Sequence, residues 1–106
     1  MNKKLINIFY CILTLIIIFP QNTKADNLFD QGKQIFIRDG YCATCHALKD
    51  AGSDSVIGPN LNEIKPDIKR IISAVTNGIG VMPSYSGQLS KDEIKAVATY
   101  VSQSVK

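Results

Sequence analysis

The sequence predicts an all-α fold in which three main helices and two long loops form a shell around something larger than a side chain. Three observations lead there. Apolar residues recur at helical spacing in three stretches, and no run shows the alternation of a half-buried strand. The segments between those stretches, residues 47–61 and 79–89, are rich in Gly, Ser, Asp and Pro and longer than a compact domain uses as plain connections. Finally, once an N-terminal export segment is set aside, the 81 residues from 26 to 106 are few for a self-sufficient core, and such domains need a staple.

Residues 1–25 read as a secretory signal. Lys3 and Lys4 give the positive start, and Leu5 to Phe19 is an apolar run broken only by Asn7 and Thr14. Pro20 then breaks the helix before a polar stretch ending Thr23-Lys24-Ala25, with the cut expected after Ala25. The run is shorter than the ~20 apolar residues that span a bilayer. No membrane span is therefore expected in the mature form; left uncleaved, the segment would be an anchor. Cys11 lies inside the run and is read as an apolar filler that leaves with it. Export places residues 26–106, the single mature domain, in the periplasm.

Removing the signal takes away three Lys and no acid, leaving nine basic and nine acidic side chains. A net charge of zero without a basic stripe argues against a nucleic-acid partner.

The first helix is expected over Asn27 to Asp39, where Leu28, Phe29, Gly32, Ile35 and Phe36 share a stripe, with Asp26 or Asn27 as cap and Gly40 as stop. The second runs from Pro66, a residue tolerated in a first helical turn, to Asn77. Ile68, Ile71, Ile72 and Val75 form its apolar face and Gly78 ends it. The third is announced by Ser90 and Glu93, the SxxE capping box, and carries Ile94, Val97, Ala98 and Val101 on one face.

The chemistry sits just past the first helix, at Cys42-Ala43-Thr44-Cys45-His46. Two thiols three residues apart on one turn can add to the two vinyl groups of a haem while the adjacent imidazole is aimed at the iron, so CxxCH in an exported chain reads as c-type haem attachment. A thioredoxin-like CxxC would want a preceding strand and a βαβ setting. A structural zinc site needs four ligands, and the mature chain offers two Cys and one His. With His46 on one face of the iron, the opposite face needs a ligand, and the mature chain holds one Met, Met82, in Gly80-Val81-Met82-Pro83. Pro83 disfavours helical geometry at Met82. A Met/His pair is an established haem ligand set.

These pieces, in this order, resemble the small bacterial class I (monohaem) c-type cytochromes over nearly all of residues 27–105. Gly32 and Phe36 match the family's GxxxF/Y before CxxCH, Gly58-Pro59-Asn60-Leu61 its GPxL, Met82-Pro83 its MP, and Tyr100 the aromatic of its last helix. The resemblance implies a class I cytochrome c fold: three main helices and long loops wrapped around one covalently bound haem c. It implies that Tyr100 packs on Gly32 and Phe36, and that the Pro59 carbonyl accepts the second ring N–H of His46. The expected cofactor-binding residues are thus Cys42, Cys45, His46, Pro59 and Met82, with His46 and Met82 on the metal. Tyr41, Leu61, Ile71, Ile72, Val75 and Leu89 are expected as pocket walls. Tyr85, Asn60 and Lys65 are candidate propionate partners, each equally well placed on the surface.

An iron held on both faces by protein has no open site for substrate, so the expected function is one-electron transfer, with no catalytic residues. The only His and both mature Cys are consumed by the haem, leaving no pair for nucleophilic catalysis. Expected partners are redox proteins: a dehydrogenase as donor, a terminal oxidase or reductase as acceptor. The chain would be a monomeric shuttle, or else the haem subunit of a periplasmic dehydrogenase complex such as a sulfite dehydrogenase. A ligand-binding sensor is a third reading, which would need Met82 off the iron or easily displaced.

Overall fold

The computed structural model describes residues 2–5, 20 and 24–106. The apolar run of the expected signal, with Cys11, lies outside the described residues apart from its first residue, Leu5.

Among the described residues the architecture is helical, with only isolated bridges and no sheet. Helix α1, Lys24–Gln34, begins three residues before the expected start and continues into a π-helical turn, Ile35–Asp39. That turn is closed by the Gly40 N–H donating to the Ile35 carbonyl at 2.7 Å. The wider turn puts both Ile35 and Phe36 inside while Ile37, Arg38 and Asp39 stay exposed, and it sets the direction of the chain just before Cys42. A 3₁₀ turn, Cys42–Thr44, carries the first cysteine, and a second, Lys49–Ala51, follows the histidine. At the end of the expected loop begins one short helix that the sequence pattern did not predict, α2, Leu61–Ile64, capped by Asn60 Oδ1 accepting from the Asn62 N–H.

Helix α3, Ile68–Asn77, starts at Ile68, not at Pro66, because Asp67 takes the cap and its carboxylate accepts from the Arg70 N–H at 2.8 Å. It ends at Gly78, as expected; the glycine has a φ of +74° and the backbone of Met82 to Ser84 folds against it, leaving no room for a Cβ. Helix α4, Lys91–Ser104, shows both halves of the capping box: Glu93 N–H to Ser90 Oγ at 3.1 Å and Ser90 N–H to Glu93 Oε1 at 3.0 Å.

α4 is the spine. Its residues Ala96 to Val101 are all buried, because α1 packs on one side of it and α3 on the other. The crossing with α1 occurs at Gly32, where a Cβ would collide with the Ala96 carbonyl and stand 2.6 Å from Tyr100 Cβ. Tyr100, fully buried, meets Phe36 edge-on at 5.8 Å between ring centroids, as expected, and also Phe29 at 5.0 Å.

Candidate functional site

Between the packed helices and the two loops lies a cleft of about 290 Å³ with a predominantly apolar lining. Cys42, Cys45, His46, Pro59 and Met82, which the sequence places up to 40 positions apart, all line it. Of the expected walls, Tyr41, Leu61, Ile71 and Val75 are there. Ile72 and Leu89 are not: Leu89 belongs to the buried core and Ile72 packs against that core, away from the cleft. Phe36, Val97 and Val101, expected only as helix-packing residues, reach the cleft as well.

The attachment turn is held by its surroundings. Cys45 and His46 N–H groups both donate to the Cys42 carbonyl, at 3.1 and 2.9 Å. The Gly58 N–H donates to the Cys45 carbonyl at 2.7 Å, and Ser55 Oγ donates to the Thr44 carbonyl at 2.7 Å. Ser53 Oγ donates to the His46 carbonyl at 2.9 Å and accepts from the Leu48 N–H at 3.1 Å. The serines of residues 52–55, which read in sequence only as polar loop, are therefore staples for the carbonyls of the turn.

His46 Nδ1 lies 2.8 Å from the Pro59 carbonyl oxygen. A carbonyl only accepts, so the proton sits on Nδ1 and the lone pair is left on Nε2, the arrangement that orients a metal-binding imidazole. Gly58 lets the chain pass flat against the ring, since a Cβ there would stand 2.8 to 3.3 Å from three ring atoms. Both cysteines are free thiols. Burial above all pushes the Cys42 thiol up to about 11, away from the depressed pKa of a CxxC redox nucleophile. No three His, Cys, Asp or Glu side chains converge as a metal cluster among the described residues.

Tyr85 also lines the cleft, but its hydroxyl donates to the Gly40 carbonyl at 2.6 Å, and burial above all raises its pKa. Asn60 and Lys65 lie outside the lining, Asn60 serving as the α2 cap. The charged side chain that the cleft lining does include, besides His46, is Arg70 of α3. At the mouth, Tyr41, Ile57, Ile79 and Val81 are exposed apolar residues, Val81 at 98%.

An apolar cleft with paired thiols, a fixed-tautomer imidazole and a thioether, inside a shell of three helices, fits haem and defines a class I c-type cytochrome. Residues 27–101 match the family model described as cytochrome C oxidase, cbb3-type, subunit III, and the chain belongs to that cytochrome c family. It is 36% identical over 81 residues to cytochrome c6 of Chlorolobion braunii, a match covering 66% of this chain and 83% of the relative. It is 37% identical over 75 residues to the cbb3-type cytochrome c oxidase subunit FixP of Bradyrhizobium sp. (strain ORS 278), covering 66% of this chain but 25% of that one. The crystal structure of the c-type cytochrome SorU from Sinorhizobium meliloti superposes with a TM-score of 0.72 at 45% identity, covering 76% of this chain and 93% of SorU. The protein is a cytochrome c electron carrier with covalently bound haem c.

Proposed function

We propose that the protein is a periplasmic one-electron carrier whose haem iron is held between His46 and Met82, passing electrons from a dehydrogenase to a terminal oxidase or reductase. The observation that supports it is that the only His and the only Met after residue 1 line the same apolar cleft. When bound, the haem supplies an Fe(III)/Fe(II) couple. Cys42 and Cys45 hold it through thioether bonds. The Pro59 carbonyl keeps the His46 proton on Nδ1 and leaves Nε2 as the donor. The Met82 thioether, a soft ligand, and the apolar walls both favour the reduced state and raise the potential. With His46 and Met82 both holding a bound iron, the protein would leave no open position for oxygen or peroxide. Arg70, also in the cleft lining, would supply a cation for the carboxylates of a bound haem, and the apolar rim around Val81 is where a redox partner would press. Residues 1–25 act as the export signal, and the mature domain is 26–106.

A second reading, a haem module within a larger oxidoreductase complex, is favoured by the match to FixP, in which the matching domain is a quarter of the chain. Stable co-purification with a catalytic partner would select it; a monomer reoxidised by several acceptors would select the shuttle.

The test is the optical spectrum of the matured protein, ferric and dithionite-reduced, with carbon monoxide added to the latter. The expected result is a low-spin ferrous spectrum unchanged by carbon monoxide and a weak sulfur-to-iron band in the ferric form. Met82→Ala should keep covalent haem, lose that band and bind carbon monoxide. Carbon monoxide binding by the wild type, or unaltered ligation in Met82→Ala, would overturn the assignment.

A further inference from the structure

We propose that Tyr85 is a positioning residue whose hydroxyl straps the Met82 loop to the shoulder of the Cys42–His46 turn and so keeps Met82 on the iron. The inference rests on the reading of Met82 as an axial ligand.

The loop of residues 79–89 is folded tightly, yet almost entirely onto its own wall of the cleft. Ile79 and Met82 exchange two backbone hydrogen bonds, at 3.1 and 2.9 Å, across a turn that contains Gly80. Ser84 Oγ donates to the Thr76 carbonyl at 2.6 Å, and the Tyr85 N–H donates to the Val75 carbonyl at 2.9 Å. Gln88 and Leu89 N–H groups both return to the Tyr85 carbonyl. Each of these bonds ends on the last turn of α3 or within the loop itself. They shape the loop without tying it to the Cys42–His46 turn.

One bond makes the link. The Tyr85 hydroxyl reaches 45 positions back along the chain to the Gly40 carbonyl, at 2.6 Å, and is the only hydrogen bond among the described residues that joins the loop to the segment carrying CxxCH. Gly40 is a firm anchor. It is buried, its N–H closes the π-helical turn on Ile35, and a Cβ on it would stand 3.1 Å from Cys42 Sγ. The strap therefore runs from a residue three positions after Met82 to a residue packed against the first attachment cysteine. The ring, half-buried against the core, holds the hydroxyl at that reach. Opening the loop would break the bond and strand a buried carbonyl, a cost that biases Met82 toward its ligating position.

The experiment uses the matured ferric protein and imidazole as the competing ligand, followed by loss of the sulfur-to-iron band. Tyr85→Phe keeps the ring and removes the strap. Its apparent affinity for imidazole should rise about 2- to 12-fold, the range one intramolecular hydrogen bond gives, while covalent haem is retained. Thr99→Val, which removes a hydroxyl bond made within α4 to the Lys95 carbonyl and lies outside the cleft lining, should leave imidazole affinity at the wild-type value. If Tyr85→Phe equals wild type while Met82→Ala binds imidazole freely, the strap is wrong and the ligand assignment stands. Equal rises in Tyr85→Phe and Thr99→Val would mean general loosening and would also overturn the strap. A wild type that binds imidazole as readily as Met82→Ala would remove the ligand itself, and the strap with it. Should Tyr85→Phe not mature, 4-aminophenylalanine at position 85, which keeps a donor at the end of the ring, must bind imidazole more weakly than Tyr85→Leu, which lacks one.

Discussion

The hydroxyl of fully buried Tyr100 donates a 2.6 Å hydrogen bond to the carboxylate of Asp50, half a chain away. Its ring fills the α1–α4 crossing while its oxygen fastens the 3₁₀ turn that follows the haem-attachment histidine, so one side chain joins the helix core to the cofactor loop. Tyr100→Phe keeps the packing against Phe29 and Phe36 and deletes only that tie. Asp50 is partly exposed and water can replace the lost donor, so the cost should be about 1 kcal/mol, read as a lower denaturant midpoint with unchanged slope. A loss above 3 would mean the ring itself had moved.

The same pair gives the fold a pH signature at both extremes. The Tyr100 hydroxyl, and after it Lys33 at 3.1 Å, hold the Asp50 carboxyl below its ordinary 3.8. A lowered carboxyl pKa stabilises the fold fully above about 4, and that contribution is lost as pH falls through the folded value. Tyr100 is shifted upward, by burial first and the Asp50 bond second. Its contribution is complete below the ordinary 10.0 and is lost as pH rises beyond it. Asp50→Asn should therefore flatten the acid limb of a stability–pH curve measured by urea unfolding and leave the neutral plateau pH-independent. An acid limb as steep as the wild type's would assign that slope to other carboxylates.

Gly32 is where the two long helices touch backbone to backbone. Gly32→Ala improves helix propensity by up to about 1 kcal/mol, yet the added methyl meets the Ala96 carbonyl, a backbone atom that cannot swing away. Overpacking of this kind costs about 1–3 kcal/mol or more and should win, giving a lower melting temperature. A neutral or higher melting temperature would show that the helices can slide apart at the crossing.

What was legible in the sequence was local. The Ser90/Glu93 box and the Gly78 stop show in the structure as their neighbours within a few positions dictate, the Gly58-Pro59 contact with His46 is present, and CxxCH and Met82-Pro83 come to one cleft. What was not legible depends on pairing across the fold. A tyrosine hydroxyl carries no mark of its acceptor, so Tyr85 read as a candidate for a haem carboxylate when its partner is Gly40, and the Asp50 tie of Tyr100 had no signal at all. Hydrophobicity likewise places Ile72 and Leu89 with Ile71 and Val75; only the angle at which α3 and the Met82 loop meet α4 separates cleft from core. The π-helical turn was hidden because Ile35 and Phe36 fit an α-helical stripe equally well.

The serines after the haem motif provide a last case in which burial, not the presence of a bond, sets the energy. Ser53 and Ser55 each donate to a carbonyl of the attachment turn, His46 and Thr44 respectively. Ser53 is partly buried and also accepts from the N–H of Leu48, a residue with no exposed surface, so Ser53→Ala leaves the His46 carbonyl short of its partner where water reaches poorly. Ser55 bonds at the surface, where water substitutes. Ser53→Ala should cost about 1 kcal/mol and Ser55→Ala less than about 0.5, both measured by denaturant unfolding of the matured protein. The sulfur-to-iron band should persist in both, because the Pro59 carbonyl still orients the His46 ring from the other side. Equal losses in the two variants would mean that the Ser55 bond is also shielded from solvent.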